Sequence, residues 1–89
     1  MYEIVFSDES LQDLFDIENF ISQDSSIIAK KVVDSIVKST HTLAIFPNIG
    51  IEKSWTDREI IDPIYKYQVR YRVKNKEIYI VTIYKYQNK

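Results

Sequence analysis

Five cations, Lys53, Arg58, Arg70, Arg72 and Lys85, lie in one stretch of this sequence with three aromatic residues, Trp55, Tyr84 and Tyr86. These residue types suit phosphate chemistry. Arginine forks bind phosphate in a bidentate fashion, and aromatic rings stack on bases. Cleavage of RNA by its own 2′-hydroxyl needs a base, an acid for the leaving oxygen, and positive charge against the phosphorane. None of these has to be histidine. A lysine crowded by arginines loses proton affinity and can serve as the base, with a tyrosine to orient it. The competing reading is plain packing, because tyrosines on a sheet more often fill a core.

Other chemistry is poorly supplied. His41 is the sole histidine and falls on the polar side of a helix. Asp13, Asp16 and Glu18 are close in sequence but read as solvated helix charges, so no metal site is expected. The chain has no cysteine, which excludes disulfides and thiolate zinc sites. Its single glycine excludes a glycine-rich phosphate loop. No cofactor is expected.

The charge is unevenly placed. Residues 65–89 carry seven lysines and arginines against one acid, a net of +6, in a chain whose total is −1. Residues 1–64 carry five basic and twelve acidic side chains, a net of −7. Such asymmetry suggests two faces with different partners. The alternative is that charge merely follows where each half meets water.

Length sets the scale on which these residues can be organised. Eighty-nine residues make one domain, 1–89, with one core. A composition of 45% hydrophobic and 28% charged residues is globular. No apolar run approaches the ~20 residues of a membrane span. The opening MYEIVFSDES lacks the basic start of a signal peptide. Together with the missing cysteines, this leads to an expected cytoplasmic location.

The elements follow from periodicity. Tyr2–Phe6 is β-branched and aromatic and reads as a strand. Ser7 is an N-cap, with Asp8 and Glu9 at the favoured end of a helix running to about Ser22. That helix has a wide apolar arc. Phe15 and Phe20 lie on opposite flanks and cannot both face the centre of one core, so either one of them is an exposed partner anchor or the helix is deeply packed. Asp24 or Ser25 caps a second helix, Ser26 to about Ile45, ended by Pro47. Its stripe of Ala29, Val32, Val33, Ile36, Val37, Thr40, Leu43 and Ala44 opposes Lys31, Asp34, Lys38 and His41. A loop, Asn48–Asp57, then leads to strands at Glu59–Asp62, Tyr67–Val73 and Glu77–Tyr84. Asn75 makes the last turn, since Asn tolerates positive φ. The order β-α-α-β-β-β indicates an α+β fold, with a helical hairpin on one face of a mainly antiparallel four-stranded sheet. Tyr67, Val69, Tyr71 and Val73 would face the helices. Gln68, Arg70 and Arg72 would face water, as an unmixed basic surface inviting an anionic partner.

Over its full length the chain resembles the RelE/ParE superfamily of toxins from bacterial type II toxin–antitoxin modules. The strand–Ser–acid–helix opening YEIVFSDESLQDL is similar to the family's start. FPNIG, Phe46 to Gly50, is similar to the FPxxG segment that closes the second helix. REI at Arg58 and YQVRYRV at Tyr67–Val73 resemble the arginine-led strand and the YRIxYRV strand. IYIVTIY stands where the last core strand belongs. The FPxxG segment and the long hairpin lean towards the ParE-like branch. The last strand departs from the pattern: Thr82 stands at a position often held by arginine, Lys85 at one often held by histidine, and the tail is only YQNK.

The resemblance implies a toxin that acts on DNA gyrase without cleavage, or that cuts messenger RNA on the ribosome. It also implies a cognate antitoxin partner. Carried over by position, Arg58, Arg72, Lys85 and Tyr86 are candidate catalytic residues. Lys53, Trp55, Arg70 and Tyr84 are candidate nucleic-acid or target contacts, and Phe15 and Phe20 candidate antitoxin contacts. A homodimer is left open, and no membrane partner is expected. A reading of a different class is a degenerate, non-toxic module that only binds protein.

Overall fold

Ser7 both closes the first strand and opens the first helix. In the computed structural model, which describes residues 1–85, β1 (Glu3–Phe6) runs directly into α1 (Asp8–Ser22). The Ser7 side chain accepts from the Ser10 amide at 2.9 Å, satisfying one of the helix's orphan donors. Its own hydroxyl donates to the Val81 carbonyl at 2.8 Å, tying the helix start to the last strand. Ser25 caps α2 (Ser26–Leu43) in the same way, through the Ile28 amide at 3.1 Å. Of the expected stripe on α2, Ala29, Val32, Ile36, Thr40 and Leu43 are buried, and Val33, Val37 and Ala44 half-buried.

The expected α+β architecture is present, with one correction. The sheet has five strands and not four. Ile51–Glu52, read from sequence as loop, forms β2 and pairs antiparallel with β3 (Arg58–Ile61). β4 (Tyr67–Lys74) and β5 (Glu77–Lys85) complete the order β1-β5-β4-β3-β2. β1 lies parallel to β5, because the helical hairpin carries the chain across the sheet before the antiparallel strands begin. A two-residue strand has almost no alternation to betray it, so β2 leaves little trace in the sequence. Asn75 takes φ 57° in the β4–β5 turn, as expected, and Lys66 takes φ 67° before β4.

The apolar residues on both faces of β5 have a geometric cause. Arg70 pairs with Thr82 but Tyr71 pairs with Ile80, so one residue of β5, Val81, is bulged out. The bulge resets the alternation, and Ile78, Ile80 and Ile83 all reach the core. They join Val32, Ile36, Leu43, Val69 and Tyr71 there. Each fully buried aliphatic side chain of this kind contributes about 1.5–3 kcal/mol. β1 pairs with β5 only as far as Ile80. Beyond it, the Asp13 carboxylate takes over, accepting from the Ile83 amide and the Thr82 hydroxyl, both at 2.9 Å. Asp13 is therefore a sheet-capping residue and not the solvated helix charge its spacing suggested.

A second acid is wholly enclosed. Asp62, at the end of β3, accepts from the Ser35 hydroxyl, from Ser39 at 3.2 Å and from the Tyr65 amide at 2.6 Å. These bonds pin the β3–β4 turn to α2. The open groove beside them, about 620 Å³, is lined by Lys31, Lys38, Ile49, Ile61 and Ile64 among others.

Candidate functional site

The antiparallel register of β3 with β4 sets Glu59 opposite Arg70 and brings Asp57, just ahead of β3, alongside the β4 arginines. Asp57 and Glu59 are acids that the reading of the basic segment left out, and both are buried, at 7% and 4% exposure. The Asp57 carboxylate accepts from Arg72 Nε at 2.6 Å and from the Thr56 hydroxyl at 2.9 Å. Arg70 Nε lies 3.7 Å from its other oxygen. Glu59 accepts from Gln68 Nε2 at 2.9 Å and from the Tyr84 hydroxyl, and Lys53 Nζ stands 3.6 Å away.

The expected wet and uniformly cationic face is thus corrected. Arg70 and Arg72 both pair within the molecule with Asp57, an acid from ahead of the basic segment, so acids are mixed into the face. The electrostatic signs agree with this. Burial pushes the Asp57 carboxyl up, but the hydrogen bonds from Arg72 and Thr56 and the charges of Arg72 and Arg70 outweigh it, and its pKa falls below the ordinary value. The hydrogen bond to Glu59 raises the Tyr84 phenol above its ordinary value, helped by burial and by the Glu59 charge, with Arg70 opposing.

Arg58 has a different surrounding from the other arginines. Its Nη1 donates to the Gly50 carbonyl at 2.8 Å and to the Asn48 carbonyl at 3.1 Å, and its Nη2 lies 3.6 Å from Glu52. It holds the loop that FPNIG begins. Tyr71 grips the same loop from beneath, donating to the Pro47 carbonyl at 2.8 Å and accepting from the Gly50 amide at 2.9 Å. The glycine is needed for this close approach. A Cβ at Gly50 would stand 2.6 Å from the Tyr71 hydroxyl and 2.9 Å from the Glu59 carbonyl.

Trp55 is at the tip of the turn between β2 and β3 and is fully exposed, at 104%. The turn beneath it is well bonded. Lys53 and Ser54 donate their amides to the Asp57 carbonyl, and the Asp57 amide donates to the Ser54 hydroxyl at 3.1 Å. Lys85 lies elsewhere, its ammonium 5.2 Å from the centroid of the Tyr67 ring. Tyr86 falls outside the described residues. Both Phe15 and Phe20 on α1 are exposed, at 58% and 72%, where at most one was expected to be.

The structure therefore brings Lys53, Arg70, Arg72 and Tyr84 together around two acids. It sets Trp55 on the turn that supplies one of them and gives Arg58 to the neighbouring loop. Phe15 and Phe20 belong to a separate helical element. The signal for the missed acids was faint: TDRE leads into a strand whose partner strand was recognisable, but register cannot be read from either strand alone. Among the described residues no cluster of metal-ligating side chains occurs.

Comparison with known proteins gives a consistent picture. The family model described as ParE toxin of type II toxin-antitoxin system, parDE, matches residues 4–87. By sequence comparison alone, no curated protein matches the chain significantly. Among solved structures, the chain is similar to one from the chromosomal ParDE toxin–antitoxin system of P. aeruginosa. The identity is 22%, the TM-score 0.84, and 98% of each chain is covered. It is also similar to one from the intact E. coli RelBE toxin–antitoxin complex, at 14% identity and TM-score 0.62, covering 99% of this chain and 100% of that one. At these identities the two likenesses are likenesses of fold.

Proposed function

This chain belongs to the ParE toxin family of type II toxin–antitoxin systems, and from that membership we propose that it arrests growth by binding a protein target, DNA gyrase, and is neutralised by a cognate antitoxin. The observation that carries the protein-binding mode is the pairing of Arg70 and Arg72 with Asp57. A phosphorane needs positive charge that is free and preorganised. Here both arginines already lie against a buried carboxylate, Arg72 hydrogen-bonded to it and Arg70 3.7 Å away. What the same region does present is Trp55, a large ring held fully in solvent on a hydrogen-bonded turn. Rigid exposed tryptophans are frequent anchors of protein interfaces.

In this reading Trp55 contacts the target, together with Lys53, Arg70 and Tyr84. Arg58 acts by holding the adjoining loop in shape, and Arg72 by holding the turn. Phe15 and Phe20 serve the antitoxin, which docks through apolar contacts on α1. The test uses purified protein in a gyrase supercoiling assay, beside a ribosome-dependent mRNA cleavage assay. The expected result is inhibited supercoiling, weakened on the order of tenfold or more by Trp55→Ala, with intact mRNA. Unaffected gyrase with cleaved mRNA would establish the ribonuclease mode instead. No effect in either assay, with normal growth on induction, would establish the inert binding module. Antitoxin docking is tested separately: co-purification with the neighbouring gene product should survive high salt and be lost in Phe15→Ala/Phe20→Ala.

A further inference from the structure

The groove between α2 and the outer edge of β3 carries a charge pattern that complements itself. Ile49, Ile61 and Ile64, all exposed, line it. On the α2 side its rim carries Lys31, Asp34 and Lys38, also exposed, and none of these makes an ion pair among the described residues. Their spacing of three and four residues sets them on one face of the helix. The sheet edge beside them is open. β2 pairs only with Arg58 and Glu59, which leaves the outer side of Ile60 and Ile61 without a strand. The Asp62 amide donates inward to the Tyr67 carbonyl, so by alternation the amide and carbonyl of Ile61 point outward. An edge of this kind is a template for another strand. The Ser35 and Ser39 bonds to Asp62 fix the stretch of α2 from Asp34 to Lys38 next to this edge.

We propose that this groove is a self-association surface, on which a second copy of the chain pairs about a two-fold axis that crosses α2 between Asp34 and Lys38 and β3 at Ile61. With α2 antiparallel to its mate, Asp34 of each copy opposes Lys38 of the other. A two-fold contact is reciprocal in this way, so one charge order serves both sides. At the edge, Ile61 stands opposite the second copy's Ile61, and the two exchange both backbone hydrogen bonds, as a hydrogen-bonded pair of an antiparallel ladder does. The isoleucines of the two grooves then cover each other. The charge order decides against other occupants. An acidic segment would meet Asp34 between the two lysines, and a basic one would meet the lysines themselves. A surface with the same order reversed offers an opposite charge to both Asp34 and Lys38, and a second copy is such a surface. Phe15, Phe20 and Trp55 do not line the groove. The inference therefore goes beyond the gyrase and antitoxin reading and stands without it: a chain with no effect on gyrase would still dimerise.

The experiment is analytical ultracentrifugation of the purified full chain over a concentration range of ~1 µM to ~1 mM. The groove is small beside a standard interface, so wild type should be a reversible dimer that dissociates in the micromolar range. Ile64→Glu, at an exposed position, should weaken dimerisation at least about a hundredfold, because it buries an unpaired carboxylate from each copy. Asp34→Lys and Lys38→Asp should each weaken it at least about tenfold, since like charges then face each other across the axis. Mixing these two variants should give a heterodimer close to wild-type affinity, and Asp34→Lys/Lys38→Asp in one chain should dimerise again. Thermal melts check that each variant is folded. A wild type that is monomeric at the highest concentration overturns the proposal, as does a dimer that Ile64→Glu and both charge reversals leave intact. A mixture of the two charge variants that stays monomeric overturns the reciprocal pairing. Binding of a poly-glutamate or polylysine peptide by a monomeric wild type would give the groove to a different partner and overturn it too. Should Ile64→Glu fail to fold, the mixture decides, because both of its substitutions lie at exposed helix positions.

Discussion

The hydroxyl of Tyr71 lies 2.9 Å from the amide nitrogen of Gly50, across 21 residues of sequence. Tyr71 is fully buried, and its second bond, to the Pro47 carbonyl, closes the FPNIG loop over the sheet. One side chain thus ties the end of the helical hairpin to the strand that carries both arginines of the site. The FPxxG pattern has a physical content here: proline stops the helix, and glycine leaves room for a phenol.

Gly50→Ala should destabilise the protein by about 1–3 kcal/mol, because the new methyl overpacks against an occupied position. Tyr71→Phe should destabilise by about 1–3 kcal/mol, because the Gly50 amide loses its partner out of reach of water. The two are coupled. In the double variant the 2.6 Å contact with the hydroxyl oxygen is gone, although the ring carbon at 2.7 Å and the Glu59 carbonyl at 2.9 Å still crowd the methyl, and both changes disturb the same Gly50 bond, so the combined loss should be smaller than the sum. Urea denaturation of the four proteins measures this, and strict additivity would contradict the contact.

Asp57 should leave a signature in acid. Its pKa in the fold is lowered from 3.8, so its stabilisation is fully present above that value and is lost as pH falls through the lower, folded value. Wild type should therefore lose stability on acidification to pH 3 more steeply than Asp57→Asn, measured as the urea midpoint against pH. Parallel curves for the two proteins would show that Asp57 carries no such linkage.

The alkaline side depends on tyrosines. Burial raises the Tyr67 and Tyr71 phenols, and the hydrogen bond to Glu59 raises that of Tyr84. For a group raised in the fold, the stabilisation is complete below its unfolded pKa and disappears as pH climbs through the folded one. Three of the seven tyrosines should thus ionise above 10.0, and the protein should lose stability in that range. Absorbance at the phenolate band during a pH titration checks this. Tyr84→Phe should remove one late-titrating group and part of the alkaline loss.

Asp62→Ala strips an acceptor from Ser35, Ser39 and the Tyr65 amide in a fully buried position. The expected loss is roughly 2–4 kcal/mol, larger than for either serine alone. Calorimetry or urea melts of Asp62→Ala, Ser35→Ala and Ser39→Ala give the ranking. A small effect of Asp62→Ala would show that solvent replaces the bonds.

Trp55→Ala should leave stability within about 0.5 kcal/mol, as expected for a surface residue away from special features. Its effect should appear only in target binding. A large loss of stability would show that the ring is a packing residue in solution.

Much of this protein was legible along the chain, and for one reason: local signals are written in neighbouring residues. The caps at Ser7 and Ser25, the stripe from Ala29 to Leu43, the turn at Asn75 and the strand of Tyr67–Val73 each depend on residues a few places apart. The order of those elements was enough for the fold class and for the likeness to a toxin family. What the chain by itself could not convey was register. Whether Arg70 and Arg72 meet water or an acid depends on which residue of β3 stands across from β4, and that is decided by packing of the whole sheet. The bulge at Val81, the pairing of Ile51–Glu52 and the capping of β5 by Asp13 belong to the same kind of fact. Net charge counted along a segment is a local sum, but electrostatic potential belongs to residues brought together in space. Only the tertiary structure could place Asp57 and Glu59 beneath the basic strand and turn an apparent unmixed cationic face into one of paired charges.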